Sequence, residues 1–166
     1  MSDMNAEQLQ NAVKLFNKDW ALLGAGTPEH FNMMTVSWGG LGELWGKAVV
    51  TVYVRPQRYT LGFLDKNDFF TLSFFDGKYR PMLSDMGKRS GRDICKRTES
   101  GLTPRPGKTG AITFCESSLT IECRKLYRGE FRMEEFLDTN ILNEHYPNND
   151  LHKIFIGEIV HIEKAD

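Results

Sequence analysis

Val49-Val50-Thr51-Val52-Tyr53-Val54-Arg55-Pro56-Gln57-Arg58-Tyr59-Thr60 decides how this chain is read. The stretch begins as a β-branched run suited to a buried strand and breaks at Arg55-Pro56. A residue before proline is pushed towards extended backbone, so the strand is expected to persist through Arg55. Proline is also pre-shaped for the first position of a helix, and a helix is expected over Gln57 to Leu64. The junction would then hold backbone N–H groups, Arg55, Arg58 and the Thr60 hydroxyl at one helix N-terminus, a chemistry that suits phosphate. Taken alone, it reads first as an ordinary strand-to-helix turn with solvated arginines.

Upstream, Asn5 to Asn17 carries Leu9, Ala12, Val13 and Phe16 at helical spacing. Trp20 to Leu23 reads as a first strand, ended by the turn-like cluster Gly24 to Pro28. Asn32-Met33-Met34-Thr35-Val36-Ser37-Trp38 opens as a strand and then runs into Gly39-Gly40-Leu41-Gly42, too glycine-rich to continue as one. Downstream, Phe70, Leu72 and Phe74 alternate with Phe69, Thr71, Ser73 and Phe75, the pattern of a strand. Tyr79 to Gly87 predicts a short helix, Thr98 to Gly110 a loop, and Glu116 to Tyr127 a further strand. Leu137 to His145 suggests another helix, and Ile154 to Ile162 the last strand. Strands without regular β-α alternation argue for a mainly β, antiparallel barrel decorated with short peripheral helices, formed as one domain over residues 1–166.

The formal net charge of −1 gives no excess that points to nucleic acid or an anionic membrane. No apolar run approaches the ~20 residues of a membrane span. The first residues lack a signal peptide's apolar core, and Cys95, Cys115 and Cys123 show no metal or disulfide spacing. A cytoplasmic, reducing location is therefore expected. Cys115 and Cys123 read as buried strand residues.

A second basic cluster, Lys88 to Arg97, sets Ser90, Gly91, Arg92 and Lys96 beside Asp93. The serine hydroxyl, exposed amides and Arg92 suit phosphate, with Lys96 adding a point charge. Asp93 would orient Arg92 or cap the following helix. Two such clusters in a nearly neutral chain suggest a small anion. The segment from Met33 to Trp38 offers flat packing surfaces and backbone hydrogen bonds for a planar heterocycle, or simply a core strand anchored by tryptophan. His152 is a lone histidine without ligand spacing to His30, His145 or His161, so no metal is expected.

These segments in this order resemble the flavin reductase-like family with the FMN-binding split-barrel fold, closest to its flavoredoxin-like branch. The carrying residues are Asn32 to Gly40, Leu44 to Lys47, Tyr53 to Thr60, Phe70 to Phe75, Ser90 to Asp93, Gly101 to Pro104, Leu119 to Tyr127, and His152 with Gly157 to Ile159. The resemblance implies an antiparallel split β-barrel of Greek-key type and a homodimer holding FMN near the subunit interface. By position, Asn32, Met33, Thr35, Val36, Ser37 and Trp38 would flank the isoalloxazine. Arg55, Gln57, Tyr59 and Thr60, with Ser90, Gly91, Arg92, Asp93 and Lys96, would serve the ribityl-phosphate end. His152 would lie towards the flavin's open face as the catalytic residue, near NADH or NADPH as co-substrate or near a small-molecule electron acceptor. Cys95 stands where the family commonly has an acidic residue. The implied activity is an NAD(P)H:flavin oxidoreductase. A non-catalytic FMN carrier or sensor and a pyridoxamine-phosphate-oxidase-like enzyme are the alternatives.

Overall fold

The structure is a computed structural model that describes residues 11–165 and the backbone of Ser2–Asp3. Its frame is an eight-stranded antiparallel sheet. In chain order the strands of its main path are β2 (Ala21–Thr27), β3 (His30–Val36), β4 (Gly39–Leu44), β5 (Lys47–Val54), β6 (Phe69–Phe74), β9 (Leu119–Glu130) and β10 (Lys153–Lys164). The spatial order is β3-β2-β6-β9-β10-β5-β4, and β1 (Ser2–Asp3) pairs with the end of β10. Hydrogen bonding leaves β3 and β4 as the two ends of this path, so among the described residues no ladder closes it into a barrel. Among the described residues no helix is long and apolar enough to cross a membrane.

Strand alternation divides the interior into two cores. Val50, Val52, Val54, Phe70, Leu72 and Phe74 join one cluster, together with Met34. Leu22, Met33, Phe75 and Phe114 join the other, against Leu83 and Met86 of α3 (Arg80–Lys88). The alternating faces read for β6 are both buried, because the sheet is covered on each side.

Several boundaries differ from the sequence reading, each for a physical reason. β5 ends at Val54. The Arg58 N–H donates to the Arg55 carbonyl at 3.1 Å, so Pro56 sits inside a tight turn, and α2 starts only at Thr60 (Thr60–Lys66). Proline's fixed φ serves the second position of such a turn as well as the first turn of a helix. β2 runs on through Gly24 and Gly26 to Thr27. Gly26 adopts φ +112, and a Cβ there would lie 2.2 Å from the His30 carbonyl oxygen. The glycine permits the close approach of β2 and β3 rather than marking a turn. The glycine-rich Gly39–Leu44 is likewise a strand, paired with β5 along its length.

The expected loop from Thr98 to Gly110 contains structure. It starts within α4 (Lys96–Glu99) and includes β7 (Pro104–Pro106), which pairs with β8 (Ile112–Phe114). Cys115 is exposed beyond β8, not a buried strand residue, whereas Cys123 is buried. The predicted N-terminal helix falls partly outside the described residues. Its described part is one turn, α1 (Ala12–Lys14), that widens into a π-type turn burying Phe16. A further helix, α5 (Thr139–His145), capped by the Asp138 carboxylate, precedes β10.

Glu122, fully buried on β9, anchors the connection between β7 and β8. One carboxylate oxygen accepts from the Lys108 N–H at 2.8 Å. The other accepts from the Thr109 N–H at 2.8 Å and from its hydroxyl at 2.5 Å. Glu122→Gln replaces one acceptor oxygen by an amide that faces donors. The expected result is a loss of about 1–3 kcal/mol, read as a lower urea midpoint. An unchanged midpoint would show that the carboxylate does not hold this connection.

Candidate functional site

Several segments converge on one cleft: β3 with the residues after it, β5 at Tyr53, the turn from Arg55 to Tyr59, the stretch from Lys88 to Lys96, and the residues before β10. The cleft consists of two adjoining hollows of about 200 and 250 Å³ that share Met34, Arg55 and Arg58. The first is walled by Trp38, Tyr53 and His152, with Thr35, Val36 and Ser37 at its edge. The second is walled by Asn32, Gln57, Tyr59 and Thr60 on one side and by Lys88, Arg89, Ser90, Gly91 and Lys96 on the other. Both basic turns therefore face the same space, and together they lie in the size range of small-molecule sites.

Short hydrogen bonds lock the two turns together. Arg58 Nη1 donates to the Gly87 carbonyl at 2.7 Å, and Arg92 Nη1 to the Gln57 carbonyl at 2.8 Å. Asn32 Nδ2 donates to Thr60 Oγ1 at 2.8 Å, with both residues buried. Lys96 is buried at 5% exposure, its Nζ donating at 2.8 Å to the carbonyls of Met33 and Met86. Burial, with the neighbouring Arg58 charge, pushes the Lys96 ammonium down to about 8. Burial, followed by Arg55, also pulls Arg58 below the usual arginine range. Among the described residues neither Arg58 nor Lys96 forms an ion pair. Gly91 packs so closely that a Cβ would lie 2.3 Å from Asn32 Oδ1 and 2.8 Å from Tyr59 Cδ1. A larger residue would fill the cradle.

The structure corrects several expectations drawn from the sequence. Met33 turns its side chain into the second core, and Met34 lines the cleft instead. Strand alternation makes that choice. Because the Met33 carbonyl reaches Lys96 on the side away from β2, the N–H and C=O of Met33 and Thr35 fall on the unpaired edge of β3. Arg92 and Asp93 are exposed and line neither hollow. Arg92 braces the turns from outside, over the Tyr59 ring at 5.1 Å. Asp93 neither orients Arg92 nor caps α4, whose N-cap position is Cys95. Cys95 is exposed, and a hydrogen bond from Thr98 holds its thiol below the ordinary value. Residues outside the expected set are Met34, Tyr53, Lys88, Arg89, Tyr146 and Asp150. Tyr146 and Asp150 carried no motif signal, because their roles depend on a turn that returns them to Arg55.

That return is specific. Arg55 Nη1 and Gln57 Nε2 both donate to Asp150 Oδ2 at 2.8 Å, and Arg55 Nη2 donates to the His145 carbonyl at 2.9 Å. Arg55 is thus paired with a carboxylate, unlike Arg58. His152 is 7% exposed, and its Nδ1 lies 2.7 Å from the Tyr146 hydroxyl. Burial first, then the Arg55 charge, lowers the imidazole to about 4, so it is uncharged at neutral pH. A histidine held neutral when folded takes up a proton more readily when unfolded. Stability is therefore fully present above about pH 6.5 and lost as pH falls towards about 4. Denaturant midpoints across that window should show a flatter pH slope in His152→Phe than in the parent. Identical slopes would remove His152 as the source.

The flavin reductase like domain model matches residues 13–166 of this sequence. No curated protein matches it significantly. Among solved structures, the FMN-binding protein from Thermus thermophilus with bound 1-cyclohex-2-enone is 21% identical at a TM-score of 0.69, covering 97% of this chain and 80% of its own. The flavoredoxin of Desulfovibrio vulgaris (Miyazaki F) is 20% identical at 0.69, covering 98% and 77%. The flavoredoxin from Methanosarcina acetivorans is 21% identical at 0.68, covering 89% and 69%. At these identities the structures speak for the shared fold, and the family match spans nearly the whole sequence: the chain belongs to the flavin reductase-like domain family.

Proposed function

We propose that this protein is an FMN-binding oxidoreductase, an NAD(P)H-dependent flavin reductase that passes electrons on to a further acceptor. The observation that carries the reading is the pair Arg58 and Lys96, two cations in one hollow that only backbone carbonyls hold in place. Cations withdrawn from water with no carboxylate in direct contact favour an anionic ligand. Lys96 has three N–H donors, two of them committed, and the Ser90 hydroxyl and the Gly91 cradle border the same space. This donor set fits a phosphate monoester. The flat end fits as well, since Trp38 and Tyr53 offer ring faces and the Thr35 N–H lies on an unpaired strand edge. FMN-binding proteins among the structural neighbours support the same choice.

Bound FMN would supply the electron chemistry, and the protein would supply binding and orientation. Arg58, Lys96 and Ser90 would hold the phosphate, while Asn32, fixed by Thr60, keeps the middle of the cleft in shape. The Thr35 N–H would donate along one edge of the ring system. Trp38 would cover the face and limit water. His152, uncharged at neutral pH, would present a hydrogen-bonding nitrogen to NADH, NADPH or an acceptor without adding charge. The flavoredoxin neighbours favour a second reading, an FMN electron carrier that nicotinamide does not reduce efficiently.

The open sheet path is read within this proposal as the wall of a split barrel, and the protein as a cytoplasmic homodimer. The end strand β4, where Gly40 and Gly42 face open space beside an exposed Trp45, offers an edge for a second copy. Sedimentation at the mass of a 19.0 kDa monomer would remove the dimer.

The central test is a titration of purified protein with FMN and with riboflavin, which lacks the phosphate. FMN should bind more tightly, and that advantage should shrink as pH rises through about 8, where Lys96 loses its charge. Lys96→Met should cut the advantage by about 1.5–3 kcal/mol, the scale of a hydrogen bond to a charged group. Equal affinity for the two flavins would overturn the phosphate assignment. Anaerobic mixing with NADH or NADPH then separates the readings: rapid bleaching of the flavin supports the reductase, and persistence of its colour supports the carrier.

A further inference from the structure

Tyr146 and His152 form a buried pair that the phosphate logic leaves unused. Tyr146 is 6% exposed and His152 7%. Their 2.7 Å contact is the one side-chain hydrogen bond that either makes among the described residues. Two arrangements are open: the phenol donates to Nδ1, or an Nδ1–H donates to the phenol oxygen. In the second, the phenolic O–H would be left without an acceptor in a buried place, which proteins avoid. The first satisfies both groups and leaves the ring proton on Nε2. The phenol itself stays protonated, since burial raises it above the ordinary tyrosine value.

Packing holds this arrangement in place. The Tyr146 ring lies against Phe136 at 5.9 Å and under the Arg55 guanidinium at 5.1 Å, and that guanidinium is itself tied to Asp150 and the His145 carbonyl. The histidine ring lies 5.4 Å from Trp38 and 6.5 Å, edge-on, from Tyr53, in the hollow that these three wall. Nε2 has no protein partner among the described residues. It is the ring nitrogen that Tyr146 does not take up, in a side chain that lines the hollow.

We propose that Tyr146 is a positioning residue that fixes His152 as the Nε2–H tautomer, making the Trp38–Tyr53 hollow a subsite for flat ligands that carry a carbonyl oxygen. The aromatic walls select for flatness, and the Nε2–H selects for an acceptor atom at the ligand's edge. A ligand that offers only donors would face the donor and gain nothing from it. The ligand class rests on the reading that this hollow seats the flat end of the cofactor with its redox partner against it, but the tautomer does not.

Long-range 1H–15N NMR of the histidine ring tests the first part, with or without FMN. An Nε2–H signature for His152 in the parent, moving to a mixture in Tyr146→Phe, is the expected result. The variant keeps the packed ring, so its fold is preserved. An Nδ1–H signature in the parent, or an unchanged signature in the variant, overturns the assignment. Benzamide and benzylamine, titrated into purified protein, test the second part. Benzamide should perturb the Nε2–H resonance and bind about twofold more weakly to the variant, in proportion to the share of the ring that leaves the Nε2–H form. Equal binding of the two probes, or equal benzamide affinity in parent and variant, overturns the ligand class. A protein that refuses FMN while His152 shows the Nε2–H form sinks the proposed function and leaves the tautomer standing.

Discussion

The cleft depends on holding like charges together without neutralising them. The turn at Arg58 and the loop from Lys88 to Lys96 repel one another, yet the fold docks them face to face. Arg89 is drawn off to the carboxylates of Asp85 and Glu99, but three others are held by backbone carbonyls: Gly87 for Arg58, Gln57 for Arg92, and Met33 with Met86 for Lys96. A carbonyl aligns a cation and satisfies a donor but carries no net charge, so the field in the hollow stays positive. A carboxylate in the same place would have stabilised the turns and cancelled that field. Buried apolar contacts of Met33, Leu83 and Met86 offset the repulsion from below.

Arg55 shows the other solution within the same cleft. Asp150 accepts from it and from Gln57, and the bridge pins the segment between α5 and β10 against the β5 turn. This bridge defines a wall, and the two hollows meet along it. One arginine of the Arg-Pro-Gln-Arg run thus serves architecture and the other is left to a ligand. Residue type alone does not assign those roles. The difference arises from a carboxylate ninety-five positions away along the chain.

What the sequence made legible was local and periodic. The alternation of Phe69 to Phe75, the strand at Val49 and the pairing of two basic turns all rest on short-range patterns, and the structure brings those turns into one space. What it hid was set by tertiary contact. Glycines in β2 and β4 read as breakers because propensity is blind to a neighbouring backbone that needs their bareness. The β7–β8 hairpin has prolines at both ends of its first strand and is held by the distant Glu122. Met33 and Met34 are adjacent and alike, and only the register of β3 decides which faces the cleft. Arg92 fell outside because its nearest acceptor is a carbonyl of the other turn.

The two ends of the cleft are not electrically independent. Arg58 borders both hollows, and its charge lowers the proton affinity of Lys96 on one side and, as the smallest of several causes, of His152 on the other. An anion seated against Arg58 offsets that charge for both neighbours at once, so both move towards readier protonation. For Lys96 the change reinforces the anion's own binding. For His152 desolvation is the larger cause of its low value, so the imidazole stays uncharged near neutrality even with Arg58 screened. A single arginine can therefore couple occupancy of the anionic end to the electrostatics of the aromatic end while leaving the Tyr146–His152 hydrogen bond intact. The flat hollow keeps a neutral donor whether or not the far end is charged, as a site must if it is to receive ligands after its cofactor is in place.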